Sequence, residues 1–242
     1  MNNVPIICPS RKRAKSVITN IKNMILCVDE KEYDEYKANN KFKIITHSGL
    51  KNLSEIRQYL YSKYGDIFMV DDDIQSVELT YQTTDSILSP EKISKVIQKT
   101  YHTAKSLNAF LWGFNNDPSP THYNQHKPFM ANGYINGCAF GLLKNKHLYF
   151  DKNTVACESH WINLLNAYHN RYCFIDKRFH FRQKSGSTFL LVGGQTGKRT
   201  MVSEQEDTLF LKKTFGDSVK LKKAKNKTLQ LHEFQRELDI KL

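Results

Sequence analysis

The sequence predicts an α/β domain built on a mostly parallel sheet flanked by helices, and three observations carry that expectation. Short apolar runs alternate with helical stretches through residues 4–74, the pattern of βαβ units. One of these runs, Ile67-Phe68-Met69-Val70, is apolar at every position, which suits a strand buried on both faces. That run passes directly into Asp71-Asp72-Asp73, an acidic triplet at the carboxyl end of a strand, where ligands of open α/β sheets collect.

In order along the chain, Val4–Cys8 reads as a first buried strand, followed by the basic turn Arg11-Lys12-Arg13 and an amphipathic helix over 14–23. Met24–Val28 forms a second strand, closed by Asp29-Glu30. A short helix over 31–39 leads to a strand at 42–46. Ser54 is placed to cap a helix whose apolar positions Ile56, Leu60 and Tyr64 follow helical spacing. Beyond the acidic triplet, 74–83 reads as extended, and Ser89-Pro90-Glu91 starts a helix to about 107, with Pro90 suited to the first turn. Ala109–Gly113 is a strand, and 115–128 a polar, proline-rich loop. Asn132–Leu143 reads as strands broken by Gly133, Gly137 and Gly141, glycines that let a ligand or another chain segment come close. Glu158–Asn170 is helical, Tyr172–Ile175 a strand and Phe179–Phe181 extended. A Gly/Ser/Thr-rich loop follows over 183–199, then a helix over Glu204–Phe215 and a lysine-rich tail with a helix expected at 229–238.

Composition sets further bounds. A chain of 242 residues with 40% apolar side chains can bury a full core. It is expected to form one domain over residues 1–215, with a basic extension over 216–242. No apolar run approaches the ~20 residues of a membrane span, and the N-terminal stretch lacks the apolar core of a signal peptide. Cys8, Cys27, Cys138, Cys157 and Cys173 are scattered, odd in number and without metal-ligand spacing, so a reducing, cytosolic setting is expected. The net charge is +12, and residues 171–227 alone carry 14 Lys/Arg against 5 Asp/Glu. Such a local excess fits a polyanion partner as well as a solvated lysine-rich surface.

Three like charges at a strand end repel one another unless a cation sits among them. A divalent ion carrying phosphate oxygens satisfies that need; a solvated acidic turn is the plain alternative. The basic turn at Arg11 and Arg13, the acidic pair Asp29 and Glu30, and Asp71–Asp73 would share one rim of the sheet. Together they suit nucleotide-sugar transfer. Cations meet the diphosphate, Asp29 or Glu30 accepts from base or ribose, and the triplet holds a metal on the departing phosphates.

The segments VPIICPSRKRA, ILCVDEKEYDEY, GLKNLSEIRQYL, DIFMVDDDI, GCAFGLL and CESHWINLL occur in this order over residues 4–215. In that pattern the chain resembles GT-A glycosyltransferases, whose sheet is Rossmann-like. More narrowly it resembles the TET/JBP-associated glycosyltransferases of phages and kinetoplastids, implicated in glycosylating hydroxymethylated pyrimidines in DNA. The resemblance implies that Asp71 and Asp73 form the Asp-x-Asp motif holding Mn²⁺ or Mg²⁺, with Asp71 and Asp72 also facing the donor, a UDP-sugar. It implies that Glu158 is the acceptor-side base, although Ser159 replaces the second acid of that motif, and that His180 is a third metal ligand. Glu158 also suits a helix N-terminus without any catalysis, and His180 suits an ordinary polar surface. Two other functions stay open: transfer to protein or cell-envelope glycans, and nucleic-acid binding by an inactive scaffold of the same fold.

Overall fold

The computed structural model describes residues 2–184, 193–194, 200–223 and 234–240. Its centre is a mixed sheet in the order β3-β2-β1-β4-β8-β6-β9-β5. The strands are β1 (Ile6–Pro9), β2 (Ile25–Asp29), β3 (Lys43–His47), β4 (Ile67–Val70), β5 (Ile74–Leu79), β6 (Leu111–Asn115), β8 (Ala139–Leu142) and β9 (Phe174–Gln183). A short β7 (Phe129–Met130) pairs with β9. The first four strands are all parallel, β1 lying between β2 and β4. β8 then runs antiparallel between β4 and β6, and β9 is parallel to β6. The expected α/β architecture with helices on its faces is the one found, its parallel half continued by a mixed half.

Burial follows the pleat. Along β4, Phe68 and Val70 enter the core on one face, with Ile93, Ile97 and Tyr101 of helix α3 (Pro90–Ser106). Ile67 and Met69 enter the other, with Ile56 and Leu60 of α2 (Leu53–Tyr64) and Trp161 and Leu165 of α4 (Glu158–Asn170). A strand sandwiched this way has no polar face, so its all-apolar sequence is a consequence of position. A short α1 (Tyr33–Asn39) and a C-terminal α5 (Met201–Phe215) complete the helices. Trp161 is core, stacked on Phe210 of α5 at 5.6 Å.

Several elements differ from the sequence expectation, each for a local reason. Residues 14–23 form no helix. Their backbone is bonded to the acidic turn instead: Ile18 and Thr19 N–H both donate to Asp72 O, at 2.9 and 3.2 Å. Asn52, not Ser54, caps α2 by accepting from Glu55 N–H; Ser54 is buried against Thr154 Oγ1 at 3.0 Å. Only Ala139–Leu142 of the glycine-broken stretch is a strand, and the two late extended pieces fuse into the ten-residue β9. Phe234–Leu238 is strand β11, paired antiparallel with β10 (Val219–Lys223), where a helix was expected; residues 229–233 and most of 183–199 lie outside the described residues. Val219, fully buried, and Leu238 join the core beside Leu211, so the described part of the C-terminal extension packs on the domain.

At Gly141 the glycine makes room for a protein side chain. A Cβ on Gly141 would lie 1.9 Å from Trp112 Cε2, and Trp112 is fully buried and stacked on Phe68. Gly141→Ala is therefore expected to cost at least the about 1–3 kcal/mol typical of overpacking. A lowered urea midpoint with unchanged slope would register it; an unchanged midpoint would contradict the contact. All five cysteines are free and buried. Among the described residues no helix is long and apolar enough to cross a membrane.

Candidate active site

The carboxyl ends of β1, β2, β3 and β4, the loop before β8 and the start of α4 surround a cavity of about 540 Å³. Ligand sites in open α/β sheets form at this edge because the chain leaves it in diverging directions. The acidic turn is its floor. Thr19 clamps that turn, donating from Oγ1 to Asp71 O at 2.6 Å and accepting from Ile74 N–H at 2.8 Å. Lys184 N–H donates to Asp73 O at 2.9 Å.

Arg13, Arg57 and Gln183 partner the three carboxylates. Asp72 is buried, accepting from Arg13 at 2.6 Å and from Ser10 Oγ at 2.5 Å. Burial pushes its acidity down, against the pull of Ser10 and Arg13, and its carboxyl sits above the ordinary range. Asp73 is equally buried, 3.6 Å from the same guanidinium and 3.0 Å from Gln183 Nε2. Asp71 is the most open of the three and accepts from Arg57 at 3.0 Å. Burial, with Asp73, Asp72 and Glu158 nearby, outweighs Arg57 and lifts the Asp71 carboxyl to about 7.

Arg57 is the hub that the sequence reading missed. It lies on the buried stripe of α2, only 1% exposed, with Phe140 5.0 Å beneath its guanidinium. It donates to Asp71, to Glu158 at 3.0 Å and to Gly137 O at 2.8 Å. One cation thus joins the acidic turn to the first residue of α4. A Cβ on Gly137 would stand 2.6 Å from Ser159 Cβ and 3.3 Å from Arg57, so glycine is what lets this loop approach. Glu158 Oε2 is buried and has no hydrogen-bond partner among the described residues. The signal for Arg57 was present: position 57 follows Ile56 and precedes Leu60 and Tyr61 on one helical face, where a charge needs a buried partner.

Of the expected site residues, Arg11, Arg13, Asp29, Asp71, Asp72, Asp73 and Glu158 all line the cavity. Two do not. Glu30 faces Ser48, whose hydroxyl donates to it at 2.6 Å on the exposed rim. His180 is a correction too: its Nδ1 pairs with Asn115 O at 2.8 Å and it sits opposite Glu78 on β5, away from the acidic turn. Burial lowers its pKa, which suits a neutral imidazole held by a carbonyl. Gln183, three residues further along β9, is the side chain that reaches the carboxylates. Arg13 also has a different part from the one expected, since its guanidinium is committed to Asp72 and Asp73. Arg11 and Lys12 remain as the cations of that turn on the cavity wall.

Among the described residues no group of three or more His, Cys, Asp or Glu is arranged to hold a metal by itself. A magnesium-type ion needs less, because it binds through one or two carboxylates and completes its shell with phosphate and water. Two observations fit it here. Gln183 Nε2 stands 3.0 Å from Asp73 Oδ1 and 3.5 Å from Asp71 Oδ2, so both carboxylates converge on one donor position. Among the described residues, four buried or half-buried acids (Asp71, Asp72, Asp73, Glu158) are ion-paired with two arginines, Arg13 and Arg57. Asp71 and Asp73 are the residues that would hold the ion.

This gives a pH dependence with a definite sign. A carboxyl lifted to about 7 carries a proton below that pH and must lose it to bind a cation. Affinity for Mn²⁺ is expected to fall about tenfold per pH unit below 7 and to level off above it. Calorimetric titration in buffers of differing ionisation enthalpy would show the released proton. Affinity flat across that range would remove Asp71 from the site.

A scan against protein-family models returns no match for this chain, and a search of curated proteins returns none either. Function therefore rests on the fold, the cavity and the chemistry of its residues.

Proposed function

We propose that this protein is a metal-dependent GT-A glycosyltransferase. On this reading it moves a sugar from a nucleotide-sugar donor, a UDP-sugar, to a 5-hydroxymethyl pyrimidine in DNA. One observation carries the reading: the acidic turn at the carboxyl ends of parallel strands shares a cavity with Glu158 and is tied to it through Arg57. A donor-side charge cluster and an acceptor-side carboxylate in a single cleft are what glycosyl transfer asks of a protein.

The roles follow from position. Arg11 and Lys12 meet the diphosphate at the β1 turn, and Asp29 accepts from ribose or base at the end of β2. Asp71 and Asp73 hold the ion, whose contribution is to neutralise charge on the leaving nucleoside diphosphate. Arg13 stays with Asp72, bracing the turn. Glu158 accepts the proton of the acceptor hydroxyl, and Arg57, 3.0 Å away, holds that carboxylate in place.

DNA as acceptor is supported by the net charge of +12 and by the segments that resemble DNA-modifying glycosyltransferases. The basic stretch over 171–227 contributes less than its composition suggests. Arg178, Arg182, Lys212 and Lys220 are paired with Asp176, Glu78, Asp217 and Asp239. The test is nucleoside-diphosphate release from a panel of nucleotide sugars with Mn²⁺, with and without hydroxymethylated DNA, alongside DNA binding at several salt concentrations. Release should require the DNA, and log affinity should fall linearly with log salt. Release stimulated only by a peptide or glycan, with salt-indifferent DNA binding, would overturn the acceptor assignment.

A further inference from the structure

The acceptor end of the cavity carries an aromatic pair that neither the ion site nor the donor roles use. Tyr134, in the loop before β8, and His160, in the first turn of α4, both line the cavity, their rings 5.1 Å apart and inclined by 37°. Tyr134 is held firmly. Its hydroxyl pairs with Ser159 Oγ at 2.9 Å, and its carbonyl accepts from Asn116 Nδ2 at 2.6 Å. The buried Asn163 side chain grips the next residue from both sides, accepting from Ile135 N–H at 2.8 Å and donating to Ile135 O at 2.9 Å. Beside this platform lies Glu158, 7% exposed, with Oε2 lacking a partner among the described residues.

We propose that Tyr134 and His160 form a stacking platform for an acceptor nucleobase turned out of its DNA strand, which brings the hydroxymethyl group to Glu158. The inference rests on the proposed function and says how that function reaches its substrate. Planar bases stack on aromatic side chains regardless of sequence, and here both rings line the cavity, with Tyr134 held in place. The depth of Glu158 supplies the second half. A base still inside a duplex cannot bring its substituent to so buried a carboxylate, and proteins that do chemistry on bases take them out of the stack. In the transfer itself the hydroxymethyl oxygen bonds to the anomeric carbon as the bond from that carbon to the diphosphate breaks. The hydroxyl proton passes to Glu158, and the diphosphate leaves with the bonding electrons.

The test uses the full chain and duplex oligonucleotides carrying 5-hydroxymethylcytosine or 5-hydroxymethyluracil beside a 2-aminopurine. Wild type and Tyr134→Phe, which keeps the ring, should raise 2-aminopurine fluorescence on binding. Tyr134→Leu and His160→Leu should lose that rise and increase KM for the DNA by about 10–100-fold, the range of one lost base–aromatic stack. KM for the donor should stay at the wild-type value, which also reports that the variants fold. Transfer to duplex DNA with no fluorescence rise, or leucine variants with an unchanged KM for DNA, would overturn this inference and leave the proposed function standing. Wild type that glycosylates a peptide or glycan and never DNA would overturn both.

Discussion

Asp73→Asn is expected to abolish sugar transfer while the protein stays folded. Asp73 shares with Asp71 the point now contacted by Gln183, and an asparagine keeps the shape and the contact with Gln183 while removing the charge that would hold a cation on the proposed function. Metal stabilisation of a leaving diphosphate is worth several kcal/mol, so the turnover number should drop on the order of 10³-fold or more. Asp71→Asn should behave alike, and excess chelator should mimic both. Asp72→Asn should differ. Its two oxygens are committed to Ser10 and Arg13, so the main loss there is stability, in the about 3–5 kcal/mol range for breaking a buried ion pair. Rates at saturating Mn²⁺ set beside thermal melts would separate the three positions. Full activity of Asp73→Asn, or of wild type in chelator, would remove the ion from the mechanism.

The second large effect is at Glu158. A hydroxymethyl group is a weak nucleophile and must shed its proton as the sugar–phosphate bond breaks. Glu158→Gln still accepts from Arg57 and so preserves the α2–α4 link, but it cannot take that proton. The turnover number should fall by about 10²–10⁴, the usual worth of general-base catalysis. Donor affinity should change little, since on the proposed function the β1 turn, Asp29 and the acidic turn would hold the donor. A near wild-type rate would place the base elsewhere, and lost donor affinity would make Glu158 a donor-side residue.

Strands β1, β2 and β4 were legible because they are largely buried and so largely apolar, with β4 the plainest case. The start of α3 was legible for a chemical reason: Ser89 caps it and Pro90 opens it. The 14–23 segment misled because its apolar spacing serves a different end. Ala14 and Ile21 are buried while the backbone bonds to the acidic turn, a long-range pairing that periodicity cannot express. The acidic turn and Glu158 stood out as charges at element boundaries. Arg57 and Gln183 did not, since one lies inside a helix and the other ends a strand whose full length the sequence breaks in two. His180 was three residues from the side chain that does reach the carboxylates.

The most direct measurement is mass spectrometry of nucleosides from hydroxymethylated DNA incubated with the protein, Mn²⁺ and a panel of nucleotide sugars. A hydroxymethyl pyrimidine nucleoside heavier by one sugar residue, present with wild type and absent with Asp73→Asn, is the predicted result. Unmodified nucleosides across the whole panel, with the donors consumed on some other acceptor or not at all, would contradict it.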